Sequence, residues 1–465
     1  MTPRAPPSDR RQRASGRALA LALSAALLAA APAGAILPQA DERPSGARRT
    51  PVVAAVERVR GAVVNVAAEE LVRFRDRRSG SMAELLFGEM FERPQVRRGY
   101  AVTSLGSGVI VSPEGWVLTN NHVIERGTRF RVGLLDGREL LAKVVGADPS
   151  SDLAVLKLDA KERLPYATMG SSDGLLIGET VIAIGNPFGL SHTVTTGVVS
   201  AVHRNFKAGD RMLFDFVQTD ASINPGNSGG ALLDIEGRLI GVNTAILGDR
   251  NAGIGFAIPI DRARRIAEDL IAHGAVREGY VGIAVEDLPA KDGRPDASGG
   301  VVVTGVDAGS PAERAGVRKG DLVDSVQGFT PQNAEEFRFR VRDLAVGSTA
   351  RLEVTRNGSR VRFQVSAIEL SPERVSELVA RRTGLTLGEE RGRGGALVVV
   401  RTVAPRSPAA RVGLQAGDLV REVNSTEVST LAEFRRAASR ARRSGELVLL
   451  IKRGFAAERI AFEFD

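Results

Sequence analysis

One short run, Asn224-Pro225-Gly226-Asn227-Ser228-Gly229-Gly230, constrains this chain more than any other stretch. A serine set among glycines has little steric cover. Its hydroxyl can face a substrate while the flanking backbone N–H groups converge on one spot. That is the local construction of a nucleophile beside an oxyanion hole. The residues that follow limit the fold. Ala231-Leu232-Leu233-Asp234, a turn at Glu236-Gly237, and Arg238-Leu239-Ile240-Gly241-Val242-Asn243 read as a β-hairpin.

Partners for such a serine lie upstream. His122 sits in Leu118-Thr119-Asn120-Asn121-His122-Val123-Ile124, and Asp152 in Ser151-Asp152-Leu153-Ala154-Val155-Leu156. Imidazole titrates near neutral pH and suits a general base, and a carboxylate beside it fixes the tautomer. Asp148 is a nearby rival acid, while His192, His203 and His273 sit in no comparable motif. Gly-Asn-Ser-Gly-Gly also fits the elbow of α/β-hydrolases. There a strand leads into a helix, and the acid and histidine follow the serine. Here both precede it, in the chymotrypsin-type order His, Asp, Ser. Between Ser107 and Ile258, short apolar segments such as Gly108-Val109-Ile110-Val111 and Val181-Ile182-Ala183-Ile184 alternate with glycine turns. That pattern predicts a mainly β domain of two small barrels, closed by an amphipathic helix over Arg262–His273.

TNNHVI around His122, SDLAVLKL from Ser151, GNPFGLSHTVTTGVVSA from Gly185, QTDASINPGNSGGALL from Gln218 and GIGFAIP from Gly253 together resemble the HtrA family of serine proteases. The likeness is to the DegP/DegQ-like members with two PDZ domains. It implies a chymotrypsin-like double β-barrel followed by two PDZ domains. It also implies an exported, ATP-independent endopeptidase that degrades unfolded or damaged proteins, with an accompanying chaperone activity. Ser228 is then the nucleophile, His122 the base and Asp152 the orienting acid. The backbone N–H groups of Gly226 and Ser228, with Asn227 between them, form the oxyanion hole, in a peptide that can also sit flipped. Ile223, the stretch Thr244-Ala245-Ile246-Leu247-Gly248, and Ile254 would line a shallow aliphatic pocket, with no carboxylate just ahead of the nucleophile. The plainer reading of these apolar residues is core. No cofactor and no metal is expected, because no nucleotide loop or ligand cluster is recognisable.

The N-terminus reads as a leader. Arg4, Arg10, Arg11, Arg13 and Arg17 precede an apolar run from Ala18 to Ala31, too short to span a membrane, and then Ala33-Gly34-Ala35. This predicts a signal peptide over 1–35, rather than an uncleaved anchor, and a periplasmic protein. Arg10-Arg11 hints at a twin-arginine signal, but the apolar residues expected after it are missing. The leader carries five arginines and one aspartate, half of the formal net charge of +8, so no nucleic-acid role follows. The chain has 0 cysteines, which excludes disulfides and a lipidated N-terminal cysteine. Residues 36–50 read as a flexible tether, 51–273 as the protease domain, 274–370 as PDZ domain 1 and 371–465 as PDZ domain 2.

The C-terminal half contains a repeat. Ser310-Pro311-Ala312 to Gly320-Asp321 recurs as Ser407-Pro408-Ala409 to Gly417-Asp418. Each copy follows a short segment that in PDZ domains offers N–H groups to a peptide's terminal carboxylate: Tyr280-Val281-Gly282-Ile283, a good match, and Gly384-Leu385-Thr386-Leu387, a weaker one. The second copy either binds peptide or only docks against its neighbour. Glu69–Tyr100 reads as a long irregular stretch. Within it, Leu85, Leu86, Phe87, Met90 and Phe91 form an apolar cluster in charged surroundings, suited to an assembly contact. The family likeness implies a trimer or its multiples. Partners are expected to be unfolded polypeptides, C-terminal peptides at PDZ domain 1, and further copies of the chain.

Overall fold

The computed structural model describes residues 48–75, 96–186, 192–208, 211–224, 226–246, 253–288, 300–392, 395–441 and 445–464. By its contacts the chain divides into Met1–Thr50 and Pro51–Asp465, and the elements below belong to the second unit. The apolar cluster from Leu85 to Phe91 lies outside the described residues, as do Leu247 and Gly248.

After helix α1 (Pro51–Val59), strands β1 (Val63–Arg75), β2 (Val96–Ile110), β3 (Trp116–Thr119), β4 (Arg129–Gly133), β5 (Glu139–Asp148) and β6 (Leu153–Leu158) close a barrel in the order β1-β2-β3-β6-β5-β4. The one-turn helix α2 (Asn121–Ile124) follows β3. Strands β7 (Thr180–Gly185), β8 (Thr193–Ala208), β9 (Arg211–Thr219), β10 (Ala231–Asp234), β11 (Leu239–Ile246) and β12 (Gly255–Pro259) close a second barrel, β10-β11-β12-β9-β8-β7. One apolar cluster joins the two. Val64, Val109 and Leu118 of the first meet Ile182, Phe216 and Phe256 of the second. Helix α3 (Ile260–His273) seals them. It buries Ile260, Ala263, Ile266, Ala267 and Leu270 at helical spacing, and Gly274 ends it at φ 71.

The irregular reading of Glu69–Tyr100 is overturned at both ends. Glu69 to Arg75 pairs with Val102 back to Val96 as an antiparallel ribbon. Val72-Arg73-Phe74-Arg75 does alternate apolar and charged residues, but the run is short, and Arg97-Arg98-Gly99 breaks the alternation in the facing strand.

The remaining chain forms two similar sheets. In the first, β14 (Ile283–Asp287), β15 (Val301–Val306), β16 (Leu322–Val326), β17 (Thr349–Arg356) and β18 (Ser359–Ser366) lie in sequence order, with β14 at an edge. A two-stranded pairing of β13 (Gly279–Tyr280) with β19 (Ile368–Glu369) and helices α4 (Pro311–Ala315) and α5 (Ala334–Arg342) complete it. In the second, helix α6 (Pro372–Thr383) leads into β20 (Leu385–Gly392), β21 (Gly395–Val403), helix α7 (Pro408–Arg411), β22 (Leu419–Val423), β23 (Thr426–Glu427), helix α8 (Leu431–Ala441), β24 (Glu446–Arg453) and β25 (Ala456–Glu463). The repeated Ser-Pro is a helix start. Ser310 and Ser407 each accept a backbone N–H from three residues on, with proline in the first turn. The repeated aspartate is a buried anchor. Asp321 holds Arg356 at 2.6 Å, and Asp418 holds Arg453 at 2.5 Å.

The first of these sheets docks on the second barrel through α5. Phe339 stacks on Phe214 with ring centroids 5.0 Å apart, and Arg340 reaches Asp215 at 3.0 Å while lying 4.0 Å over the Phe329 ring. Asp215 also binds His203 Nδ1 at 2.7 Å. Burial pushes the Asp215 carboxyl up, but the His203 hydrogen bond and the charges of Arg340 and Arg262 outweigh it and hold the carboxyl low. Removing one partner of such a buried pair strands the other charge. Arg340→Ala should therefore cost about 3 kcal/mol at this contact. The readout is faster amide hydrogen exchange in both α5 and β9, with no change for Lys319→Ala on the exposed surface.

Candidate active site

The seam between the barrels gathers the residues singled out by motif. His122 comes from α2, directly after a first-barrel strand. Asp152 comes from the turn between β5 and β6 and adopts φ 53, a left-handed conformation that aspartate tolerates better than most residues other than glycine. That conformation is held by its own carbonyl, which accepts from Asn120 Nδ2 at 2.9 Å and from the Asn121 N–H at 3.1 Å. The rival Asp148 is engaged elsewhere. Its carboxylate accepts from the Ser150 hydroxyl at 2.8 Å and the Ser151 hydroxyl at 2.6 Å.

The Asp152 carboxylate is a hub. It binds His122 Nδ1 at 2.8 Å through Oδ2, the His122 backbone N–H at 3.0 Å through Oδ1, and the Thr244 hydroxyl at 2.6 Å. A carboxylate only accepts, so Nδ1 carries the proton and Nε2 is left with its lone pair. Burial lowers the His122 pKa, but the hydrogen bond and charge of Asp152, with Glu125, outweigh it, and the imidazole titrates above its ordinary value.

Ser228 lies between β9 and β10. Its backbone ties the barrels together. Its carbonyl accepts from the Ser107 N–H of β2 at 2.8 Å, and the next N–H, of Gly229, reaches the Asn243 carbonyl at 2.8 Å. A Cβ at Gly229 would collide with the Ser107 carbonyl, and φ is 83 there, so only glycine fits. The Ser228 hydroxyl donates to the Thr244 carbonyl at 2.9 Å. Thr244 thus bridges Asp152 and Ser228, one with its hydroxyl and one with its carbonyl.

Gly226 has φ 97, and its carbonyl is turned to the buried Ser107 hydroxyl at 2.6 Å, which itself accepts from the Asn186 N–H at 2.7 Å. The Asn227 N–H goes to Asn224 O at 2.9 Å. Among the described hydrogen bonds, the N–H groups of Gly226 and Ser228 donate to nothing in the protein. The pair named for the oxyanion hole is thus the pair left over, and Asn227 serves as spacer.

The residues named for the pocket divide. Ile223 is buried against β12, where Gly255 leaves room for it. Ile254, at the mouth of that strand, is half-buried and packs on the main core. Ala245 and Ile246 are placed in β11 by their backbone. Thr244 does more than line a pocket, since its hydroxyl is spent on Asp152. Nothing in the sequence marked Thr244 for that role; it reads as one residue of an ordinary strand. Ser107 was equally unmarked, although a serine between glycines in Gly106-Ser107-Gly108 was available as a signal. The other histidines have partners of their own: His192 the Val63 carbonyl at 2.8 Å, His203 Asp215, and His273 Asp269 at 3.8 Å.

The two segments proposed to hold carboxylates differ. In the first, Gly282 has φ 80, and a Cβ there would strike Ser310; Tyr280 donates its hydroxyl to Asp307 at 2.6 Å. Val281 is buried, and Ile283 opens the edge strand β14. Among the described hydrogen bonds outside the strand ladder, the N–H groups of Val281, Gly282 and Ile283 donate to nothing. In the second, Gly384 has the same conformation against Ser407, but it caps α6, and its N–H donates to Ala380 O at 2.8 Å. The Leu385 N–H goes to the Thr383 hydroxyl at 3.1 Å. The second loop has spent the donors a carboxylate would need.

Comparison with known proteins agrees with this architecture. Residues 106–242 match the trypsin-like peptidase domain family, and 279–367 and 399–453 match PDZ domain families. The chain is 38% identical over 384 residues to a probable periplasmic serine endoprotease, DegP-like, of Chlamydia muridarum, covering 78% of this chain and 75% of that one. It is 40% identical over 344 residues to the periplasmic pH-dependent serine endoprotease DegQ of Escherichia coli, covering 71% and 75%. Among solved structures, the HtrA-type protease AlgW with a decapeptide superposes with a TM-score of 0.51 at 38% identity, over 68% of this chain and 97% of that one. A mainly β chain with a trypsin-like domain, two PDZ domains and relatives this similar belongs to the DegP/DegQ-like, HtrA-type family of serine endopeptidases.

Proposed function

We propose that this chain is exported to the periplasm by its leader and there degrades unfolded or damaged polypeptides without ATP. Ser228 is the nucleophile, His122 the general base and Asp152 the orienting acid. One observation carries the assignment: Asp152 binds His122 Nδ1 and, through Thr244, is linked to the Ser228 hydroxyl. When a scissile carbonyl arrives, Ser228 Oγ leaves the Thr244 carbonyl and attacks the carbon as His122 Nε2 takes the proton. The oxygen that gains charge is received by the free N–H groups of Gly226 and Ser228. His122 then returns the proton to the departing amine, and water repeats the sequence on the acyl-enzyme. The boundaries 51–273, 274–370 and 371–465 fit this division of labour. Capture of polypeptide C-termini falls to the loop Tyr280–Ile283, whereas the second loop, with its donors spent, serves docking. Assembly as a trimer or its multiples rests on the family likeness alone.

Ser228→Ala should lower the rate of casein cleavage by about 10⁴-fold or more, the scale of losing a triad nucleophile. Its melting temperature should match the parent's, because the bonds that hold the segment are backbone bonds. Near-parental turnover would remove Ser228 from the role.

Only neutral imidazole can accept the serine proton, so activity should rise as pH increases through the His122 titration. Since Asp152 raises that titration, the midpoint of kcat/KM against pH should lie above the ordinary histidine value of about 6.5. A midpoint below it, or a flat profile from about pH 5 to 8, would contradict the base assignment.

Cleavage is expected mainly after Val, Ala or Ile, given Ile223 beside the nucleophile loop and the absence of a carboxylate from Ala221-Ser222-Ile223-Asn224. Mass spectrometry of casein fragments decides the matter, and a majority of cuts after Lys or Arg would refute it.

A further inference from the structure

The groove beside β14 is not empty. β14 is the edge of its sheet. The Leu288 N–H donates across to Gly300 O at 2.8 Å, and the Gly282 carbonyl accepts from the Asp307 N–H at 2.9 Å, so the even-numbered residues face β15. Strand alternation then turns the backbone groups of Ile283, Val285 and Asp287 toward the open side. Helix α5 runs along that side and reaches the strand twice. Asp287 accepts from the Ala334 N–H at 2.5 Å, and Arg338, one turn further on, donates to the Val285 carbonyl at 2.9 Å.

An added peptide strand would need that same carbonyl. With its terminal carboxylate on the N–H groups of 281–283, the last residue meets Ile283, and the residue third from the end exchanges backbone bonds with Val285. Arg338 stands in the place of that third residue. We propose that Arg338 sets the sequence preference of this groove, which takes polypeptide C-termini with an apolar last residue and Asp or Glu third from the end. This rests on the reading that the loop Tyr280–Ile283 captures free C-termini. Peptide binding displaces the guanidinium from Val285 but leaves it half-buried at the groove. The side chain of the third-from-last residue shares the face of the last one and points at α5. A carboxylate there offers Arg338 a planar, charge-matched acceptor in exchange for the one it loses. A neutral side chain offers less, and a lysine repels it.

The second repeat is an internal contrast. Leu431 stands where Ala334 does and binds Glu389 of β20 at 2.9 Å, as Ala334 binds Asp287. By the same offset, Arg435 stands where Arg338 does. Its Nε donates instead to the Ser376 hydroxyl of α6 at 2.8 Å. The equivalent arginine is drawn off to a helix that precedes the sheet, so the device belongs to the first repeat.

The test uses the full-length chain carrying Ser228→Ala, so that ligands are not cut, and fluorescence anisotropy with labelled decapeptides. These end in Glu-Ala-Val, Gln-Ala-Val or Lys-Ala-Val, each with a free or an amidated terminus. The expected order of affinity is Glu, Gln, Lys, with about tenfold or more between the first and last, the scale of one charge-assisted hydrogen bond. Arg338→Met should erase the order and tighten the Gln peptide, because Val285 is then unblocked. Arg338→Glu should reverse the order, an outcome misfolding cannot imitate. Arg435→Met should change nothing. An absent order in the parent, or one that survives Arg338→Met, overturns the role of Arg338 while leaving C-terminal capture intact. Equal binding of amidated peptides overturns the capture reading itself, and no binding by any peptide overturns both.

Discussion

The site depends on what one carboxylate can accept. Asp152 belongs to the first barrel, and its turn has a left-handed conformation with two donors on its carbonyl. Its side chain then faces two elements at once: α2 of its own barrel, through both backbone and ring of His122, and β11 of the other, through Thr244. A half-buried carboxylate beside the seam needs donors, and here three of them satisfy it. The two bonds to His122 stay within the first barrel and fix the imidazole's tautomer, while the third, from Thr244, crosses to the second barrel beside the proposed chemistry. One carboxylate thus serves both the histidine and the barrel contact, through different donors.

A similar economy links the protease to the first PDZ domain. Helix α5 presents Phe339 and Arg340 to the second barrel, while Arg338 of the same helix lies over the edge strand on its other side. Arg262 of α3 touches the Ser151 hydroxyl, next to Asp152 in sequence, and lies 3.4 Å from Asp343 just beyond the end of α5. The groove helix is thus packed between the proposed peptide site and the turn that carries Asp152.

Much of this was legible in the sequence, and the part that was not has physical reasons. His122, Asp152 and Ser228 were visible because each sits in a motif whose neighbours are constrained too: asparagines that bind the Asp152 carbonyl, glycines that permit close backbone approach. The barrels showed through their apolar runs and glycine turns, and the repeat through its Ser-Pro helix start and its buried aspartate. The ribbon from Glu69 to Arg75 was missed because its alternation is short and its pairing partner, Val96 to Val102, is interrupted by Arg97-Arg98-Gly99. The role of Thr244 was invisible because a threonine in a strand is ordinary, and only the crossing of two barrels brings it to Asp152. The second PDZ loop looked merely weaker in sequence. What separates it is that Gly384 terminates a helix, so its N–H is spent on a carbonyl four residues back. Gly384 is a helix-stop residue, and its role as a cap goes with the helix Pro372–Thr383 that precedes it. Arg338 and Arg435 are alike in sequence and differ only in what lies beside them.

The Ser228 segment separates two kinds of indispensability. Its backbone holds the barrels in register, through the Ser107 N–H and the Asn243 carbonyl, and its glycines admit no side chain. Its hydroxyl makes a single bond, to Thr244, which a methyl group could forgo. A lineage could lose the oxygen and keep every other part: the seam, the pocket, the open edge strand and its arginine. On the proposed function, what would remain is a receptor of the same shape, one that holds extended polypeptides and releases them whole. On this scaffold the distance from a cutter to a holder is one atom.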